Sequence, residues 1–144
     1  MSDLIIRKLI LEDLDKVYGL MNGYYHGELK YNKFEEIYKL KLQDKNSYYI
    51  AAVDEENVIG LLISELQEKL HREKPQLFIE DLLVEENRRN NGIGTLLIDN
   101  AIKYAKEKNC EVIELTSYKD NFKAHKFYEK NGFINHSIKF KLYL

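Results

Sequence analysis

The stretch LFIEDLLVEENRRNNGIGTLLIDNAIKYAKEKNCEVIELTS, residues 77–117, decides how this chain folds. Leu77 to Val84 is rich in strand formers. From Gly94 to Lys108 the apolar residues Leu97, Ile98, Ala101 and Ala105 fall on one helical face, with Asp99, Asn100, Lys103 and Lys106 on the other. Val112 to Ser117 is strand-like again. A strand, a helix and a second strand of these lengths close right-handed with the strands parallel. Between the first strand and the helix lies Arg88-Arg89-Asn90-Asn91-Gly92-Ile93-Gly94. Its two glycines permit backbone angles and close approach that a side chain would forbid, and the N–H groups of the helix's first turn point outward toward an anion. Arg88 and Arg89 add guanidinium charge beside them, so the loop can hold a pyrophosphate. Leu97 stands where a dinucleotide fingerprint needs a third glycine, and no G-K-[ST] follows, which argues against a dehydrogenase or an NTPase. Alone, a Gly-x-Gly before a helix also suits an ordinary tight turn.

Upstream, Leu4 to Lys8 reads as a short strand. Leu14, Val17, Tyr18 and Met21 form the stripe of a first helix that ends near Asn22-Gly23. A second helix is expected from Asn32, with Asn32 as cap, Glu35 as capping-box partner, and Phe34, Ile37 and Tyr38 as inner face. Ser47 to Val53 and Val58 to Leu66 read as a hairpin around Asp54-Glu55-Glu56-Asn57. Downstream, a helix runs from about Phe122 to Asn131 and stops at Gly132 in a left-handed cap. The tail alternates Ile138, Phe140, Leu142 and Leu144 against Ser137, Lys139, Lys141 and Tyr143, the pattern of a strand with one buried face.

With 144 residues and 44% apolar side chains, the chain suits a single domain, 1–144, around one core. No run approaches the roughly 20 apolar residues that cross a bilayer, and Met1-Ser2-Asp3-Leu4 lacks the layout of a secretion signal, so a cytoplasmic protein without membrane partners is expected. Lone Cys110 fits a reducing compartment and reads as packing. A net charge of −2 offers no basic field for nucleic acid. His26, His71, His125 and His136 are scattered, so no metal site is expected.

The loop and a second motif together resemble the GNAT superfamily of N-acetyltransferases. Its coenzyme A loop reads Arg/Gln-x-x-Gly-x-Gly/Ala, and Arg89-Asn90-Asn91-Gly92-Ile93-Gly94 fits every fixed position. A further signature, Asn-x-x-Ala-x-x-x-Tyr followed by Gly-Phe, is met by Asn121, Ala124, Tyr128, Gly132 and Phe133. The match is dense from about Ile79 to Phe133. The resemblance implies an α+β (mixed α/β) acyl-CoA N-acyltransferase fold: a mostly antiparallel sheet with one parallel strand-helix-strand unit and helices on both faces. It implies acetyl-CoA as the acetyl donor, held by the backbone of Arg89, Asn90, Asn91, Gly92, Ile93, Gly94 and Thr95. Leu82, Leu83 and Val84 would run beside the pantetheine arm, with Asn121, Ala124 and Tyr128 also against the cofactor. Ile79-Glu80-Asp81-Leu82 resembles polyamine and thialysine acetyltransferases, whereas Ala124 to Tyr128 and the tail resemble aminoalkylphosphonate acetyltransferases.

An alkylamine, like Lys, titrates near 10.4, so the site must take a proton before the nitrogen can attack a thioester. Glu80 is the candidate base, directly or through water. Strand alternation puts Glu80 and Asp81 on opposite sides, so only one is expected to enter the cleft; either could instead be a plain polar position at a bulge. Tyr128 is the candidate acid for the leaving thiolate, since Ala124, Phe127 and Tyr128 share a helical face. A backbone N–H near Leu82 or Leu83 would hold the oxyanion. The resemblance places the acceptor among Tyr24, Tyr25, His26, Glu28, Glu80 and Asp81. The acids there favour a cationic amine, whereas Lys30, His71, Arg72 and Lys74 could hold an anionic head. The expected function is direct transfer from acetyl-CoA to a primary amine of a small molecule in a ternary complex. A non-catalytic acyl-CoA sensor and a protein or peptide N-acetyltransferase stand as alternatives, and the apolar tail suggests a homodimer.

Overall fold

The structure is a computed structural model. It describes residues 3–144; Met1 and Ser2, which head the N-terminus considered for a secretion signal, lie outside the described residues. The chain forms two compact units, one ending at Glu114 and the other Leu115–Leu144.

The first unit carries β1 (Leu4–Lys8), α1 (Leu14–Tyr24), α2 (Tyr31–Leu42), β2 (Ser47–Asp54), β3 (Asn57–Gln67), β4 (Gln76–Val84), α3 (Ile93–Glu107) and all but the last residue of β5 (Val112–Leu115). The strands lie in the order β1-β2-β3-β4-β5. The first four pair antiparallel, and the α3 crossover makes the last pair parallel. The expected mixed α/β sheet is therefore present. The β2–β3 turn is the charged one expected, with Glu55 and Glu56 at φ 48° and 70°. Two successive left-handed residues match the right-handed twist of a tight hairpin.

Alternation along the central strands separates two cores. Ala51, Val53, Leu61 and Ile63 bury against Val17 of α1 and Tyr38 of α2. Residues of the other parity, Ile50, Ala52 and Leu62, are equally buried. That second face takes α3, whose Ile93, Leu97, Ile98, Ala101 and Ala105 are its buried stripe, as the spacing required. Gly60 sets how closely they meet. A Cβ there would lie 3.2 Å from the Leu83 carbonyl oxygen and 3.3 Å from Ile93 Cγ2. The start of α3 therefore rests on bare backbone, which fixes the loop before it against β3 and β4.

The expected capping box of the second helix is absent. Its N-cap is Lys30, with no side-chain cap. Tyr31 instead ties the first turn down by donating to Asp15 Oδ1 at 2.7 Å and packing edge-on against Tyr18. Phe34 and Tyr38 face inward as expected, whereas Ile37 is 44% exposed.

In the second unit, α4 (Phe122–Lys130) begins at Asn121, whose Oδ1 accepts from the Ala124 N–H at 3.2 Å. Its end is a Schellman motif. Gly132, at φ 94°, donates to the Glu129 carbonyl, Phe133 donates to the Tyr128 carbonyl, and the Phe133 ring packs on the Tyr128 ring. The Gly-Phe pair is thus the device that stops the helix and braces Tyr128.

The tail corrects the sequence reading, because no strand forms beyond α4. Ile138, Phe140 and Leu142 are 81%, 89% and 86% exposed, and Tyr143 of the opposite set is 84% exposed. Alternation expresses a preference for a half-buried strand, but a strand also needs a partner for its N–H and C=O groups, and the tail has none.

Candidate active site

The loop before α3 is built to present amides. A 3-10 turn at Glu86–Arg88 leads to Asn90 in the left-handed region at φ 65°, and Gly92 caps α3 at φ 80°. The Asn91 amide donates to the carbonyls of Arg88 and Arg89 at 3.1 and 3.2 Å. These bonds consume the Arg88 and Arg89 carbonyls, while the Arg88 and Arg89 amides donate back to the carbonyls of Glu85 and Glu86. The first intrahelical bond of α3 runs from Leu96 N–H to Gly92, and no side chain caps the turn before it. The amides of Ile93, Gly94 and Thr95 therefore form a concave donor set at the positive end of a 15-residue helix.

The charge around this nest is lower than the sequence suggested. Arg88 forms an ion pair with Asp54 at 2.7 Å. Arg89 donates from Nε to the Val84 carbonyl at 3.0 Å, which ties the loop to β4 and leaves the guanidinium at the surface. Between them only Arg89 contributes a guanidinium to an anion at this turn without breaking an ion pair.

β4 brings the other half of the site. Glu111 N–H donates to the Pro75 carbonyl, so β5 begins level with the start of β4. Its four residues span about 13 Å at the usual strand rise. β4 has nine residues, so Leu82, Leu83 and Val84 run on past β5 with no strand neighbour on that side among the described residues. On the other side a register shift separates Ile63, opposite Asp81, from Ser64, opposite Ile79. Glu80 is the extra residue of a β-bulge. The bulge corrects the expectation that only one of Glu80 and Asp81 enters the cleft. Simple alternation fails across it, and both carboxylates line one cavity of about 210 Å³.

The rest of that cavity is apolar, walled by Val17 and Met21 of α1, Phe34 and Ile37 of α2, and Tyr49 and Ile63 of the sheet. Asp81 accepts from the Tyr25 hydroxyl at 2.5 Å. Burial pushes the Asp81 carboxyl above the usual carboxylate range, against the downward pull of that bond. Glu80 is raised too, first by partial loss of water and then by repulsion from Glu65 and Asp81. Two carboxylates raised above their ordinary range at one bulge are stronger bases than solvated ones.

Of the residues expected around an acceptor, Tyr25, Glu80 and Asp81 come together. Tyr24, His26 and Glu28 are exposed, and the cavity wall does not include them. His26 and Gly27 instead make the left-handed exit of α1 at φ 61° and 75°. The cavity wall itself was missed, because an apolar stripe at helical spacing looks the same whether it meets core or cleft. Arg72 is committed elsewhere, donating to Gln76 and Glu114 and pairing with Glu111. In the second unit Tyr128 is half-buried between Phe127 and Phe133. His125 Nε2 lies 2.8 Å from the Tyr118 carbonyl, a bond within the α4 entry. The Cys110 thiol is half-buried and raised by burial, which lowers its thiolate fraction. Among the described residues no helix is long and apolar enough to cross a membrane.

The site thus combines the start of α3, the adjoining strand β4 and a carboxylate-lined cleft at the bulge of that strand. Comparison with known proteins gives the class of protein. The model of the acetyltransferase (GNAT) family matches residues 11–133, and the chain belongs to that family. It is an acyltransferase by that membership. It is 29% identical over 135 residues to the aminoalkylphosphonate N-acetyltransferase of Salmonella typhimurium, covering 94% of this chain and 88% of that protein. Among solved structures, a transcriptional regulator from Bacillus halodurans superposes with a TM-score of 0.90 at 26% identity, covering 98% of this chain and 99% of that one. An aminoglycoside acetyltransferase from an uncultured soil metagenomic sample, in complex with trehalose, superposes with a TM-score of 0.84 at 26% identity over 99% and 97%.

Proposed function

We propose that the chain transfers the acetyl group of acetyl-CoA to a primary amine of a small molecule, by direct attack in a ternary complex, with both units serving one cytoplasmic catalytic domain. The observation that carries this reading is the run from the Glu80 bulge through the open edge of β4 to the amide nest at Gly92. One strand would line up acceptor, thioester and diphosphate. In this reading the backbone of Arg89, Asn90, Asn91, Gly92, Ile93, Gly94 and Thr95 grips the diphosphate, and Leu82, Leu83 and Val84 bond the pantetheine arm as a strand would. Asn121 is assigned to the cofactor by the family motif alone, and its Oδ1 is engaged as the cap of α4.

The chemistry then follows in order. Glu80, directly or through one water, takes a proton from the bound ammonium group. The freed nitrogen forms a C–N bond at the thioester carbonyl, and a backbone N–H near Leu82 or Leu83 holds the oxyanion. Collapse breaks the C–S bond, Tyr128 donates a proton to the departing thiolate, and the second proton of the attacking nitrogen passes to the Tyr128 oxygen, which leaves a neutral amide and restores the phenol. No covalent enzyme intermediate is needed, consistent with the raised Cys110 thiol. Thiol release from acetyl-CoA across a panel of amines tests the reading: amine-dependent release supports it. Tight coenzyme binding with no release from any amine would favour a sensor, a second reading that the regulator from Bacillus halodurans keeps in view.

We propose further that the exposed tail, with Ile138, Phe140 and Leu142 unpaired, adds to the sheet of a second copy and gives a homodimer. Light scattering should then report twice the 17.1 kDa chain mass; a monomer at assay concentration would remove the dimer.

A further inference from the structure

Resting on the transferase reading above, we infer that the acceptor is a primary amine carried on a short apolar body, an aryl- or alkylamine, and that anionic and polyhydroxylated amines are poor acceptors. The juxtaposition that decides this is two carboxylates on the wall of an otherwise apolar cavity. Apart from the two carboxylates, the wall contributes only apolar contact and the phenols of Tyr38 and Tyr49, while Glu80 and Asp81 offer acceptors for an ammonium group. No Lys, Arg or His belongs to that wall.

An aminoalkylphosphonate would bring a dianion into this space. Lys41 is paired with Glu65, Arg7 with Asp13, and Arg72 with Glu111 and Glu114. An anionic head would meet two carboxylates and no uncommitted cation of the wall, which is discrimination by repulsion. A sugar amine fails differently. Its several hydroxyls would leave water for a wall that offers, besides the two carboxylates, only the phenols of Tyr38 and Tyr49, and Tyr38 already donates to the Ile10 carbonyl. The cavity, at about 210 Å³, is also below the roughly 300 to 1,000 Å³ that drug-sized ligands fill, which suits a compact amine.

The test is a set of kcat/KM values at saturating acetyl-CoA for phenethylamine, hexylamine, 2-aminoethylphosphonate and an aminoglycoside, with calorimetry of phenethylamine in the presence of coenzyme A. Phenethylamine or hexylamine should exceed the phosphonate and the aminoglycoside by about 100-fold or more, the scale of discrimination a misplaced polar group brings. Ile37→Arg, at a 44% exposed position on the cavity wall, should narrow or reverse the preference over the phosphonate. Faster acetylation of the phosphonate or the aminoglycoside overturns this inference and leaves the transferase reading standing. Saturable binding of phenethylamine with no turnover of any amine supports the pocket and overturns the transferase reading. Absence of both turnover and binding overturns the inference.

Discussion

Replacing Glu80 by Gln tests the proton-transfer step and gives a pH signature that a structural role would not. An alkylamine with a pKa near 10.4 is free base to about 1 part in 800 at about pH 7.5, a cost of about 4 kcal/mol to deprotonation. Glu80 sits at the bulge with its carboxyl raised by partial burial and by Glu65 and Asp81, which suits it to take that proton from bound ammonium. Without it, reaction draws only on amine already free in solution, so kcat/KM should fall roughly 10²- to 10⁴-fold, the range general bases supply. The variant's rate should then climb about tenfold per pH unit as the amine deprotonates, so the gap to the parent closes toward pH ~10. In the parent enzyme, activity should depend on pH less steeply than in the variant, because an ionised carboxylate takes the proton from bound ammonium. Asp81→Asn retains an oxygen for Tyr25 and should not show the closing gap. Initial rates of thiol release from about pH 6.5 to 10 provide the measurement. A parent-to-variant ratio that stays constant over that range, or never exceeds about threefold, would refute Glu80 as the base.

Tyr128→Phe should lower kcat while leaving coenzyme affinity by calorimetry nearly unchanged; equal kcat would remove Tyr128 as the acid. Gly60→Val would force a branched side chain against the Leu83 carbonyl and Ile93, both about 3.2 to 3.3 Å from a Cβ. Overpacking of this kind costs about 1 to 3 kcal/mol, readable as a lowered urea midpoint. Gly132→Ala places a Cβ at φ 94° in the Schellman cap and should cost about 1 to 2 kcal/mol, with a loss of kcat in step with the bracing of Tyr128. Unchanged stability in either glycine variant would contradict the packing described.

The loop, α3 and the α4 terminus were readable in the sequence because each is specified locally. Gly92 and Gly94 sit beside a helical stripe, and Gly132-Phe133 closes a helix within two residues. What was misread depends on distant partners. Arg88 looked available until Asp54, 34 residues away, claimed it. Asn32 looked like a cap, but the cap is Lys30, two residues earlier, and Tyr31 bonding to Asp15 ties down the first turn. Glu80 and Asp81 looked opposed because alternation assumes an unbroken ladder, and the bulge is visible only in the pairing with β3. The tail has the pattern of a strand and lacks its partner. The acceptor cavity was hidden for a further reason: Val17, Met21 and Phe34 satisfy a core stripe and a cleft wall equally well.

Titration calorimetry with coenzyme A, set beside S-acetylpantetheine, which lacks the diphosphate, tests the grip of the Gly92 turn most directly. Coenzyme A should bind one per chain with affinity that falls as salt is added, and the truncated thioester should bind at least about 100-fold more weakly, the share of two to three charge-assisted hydrogen bonds. No heat with coenzyme A, or equal affinity for the two ligands, would contradict it.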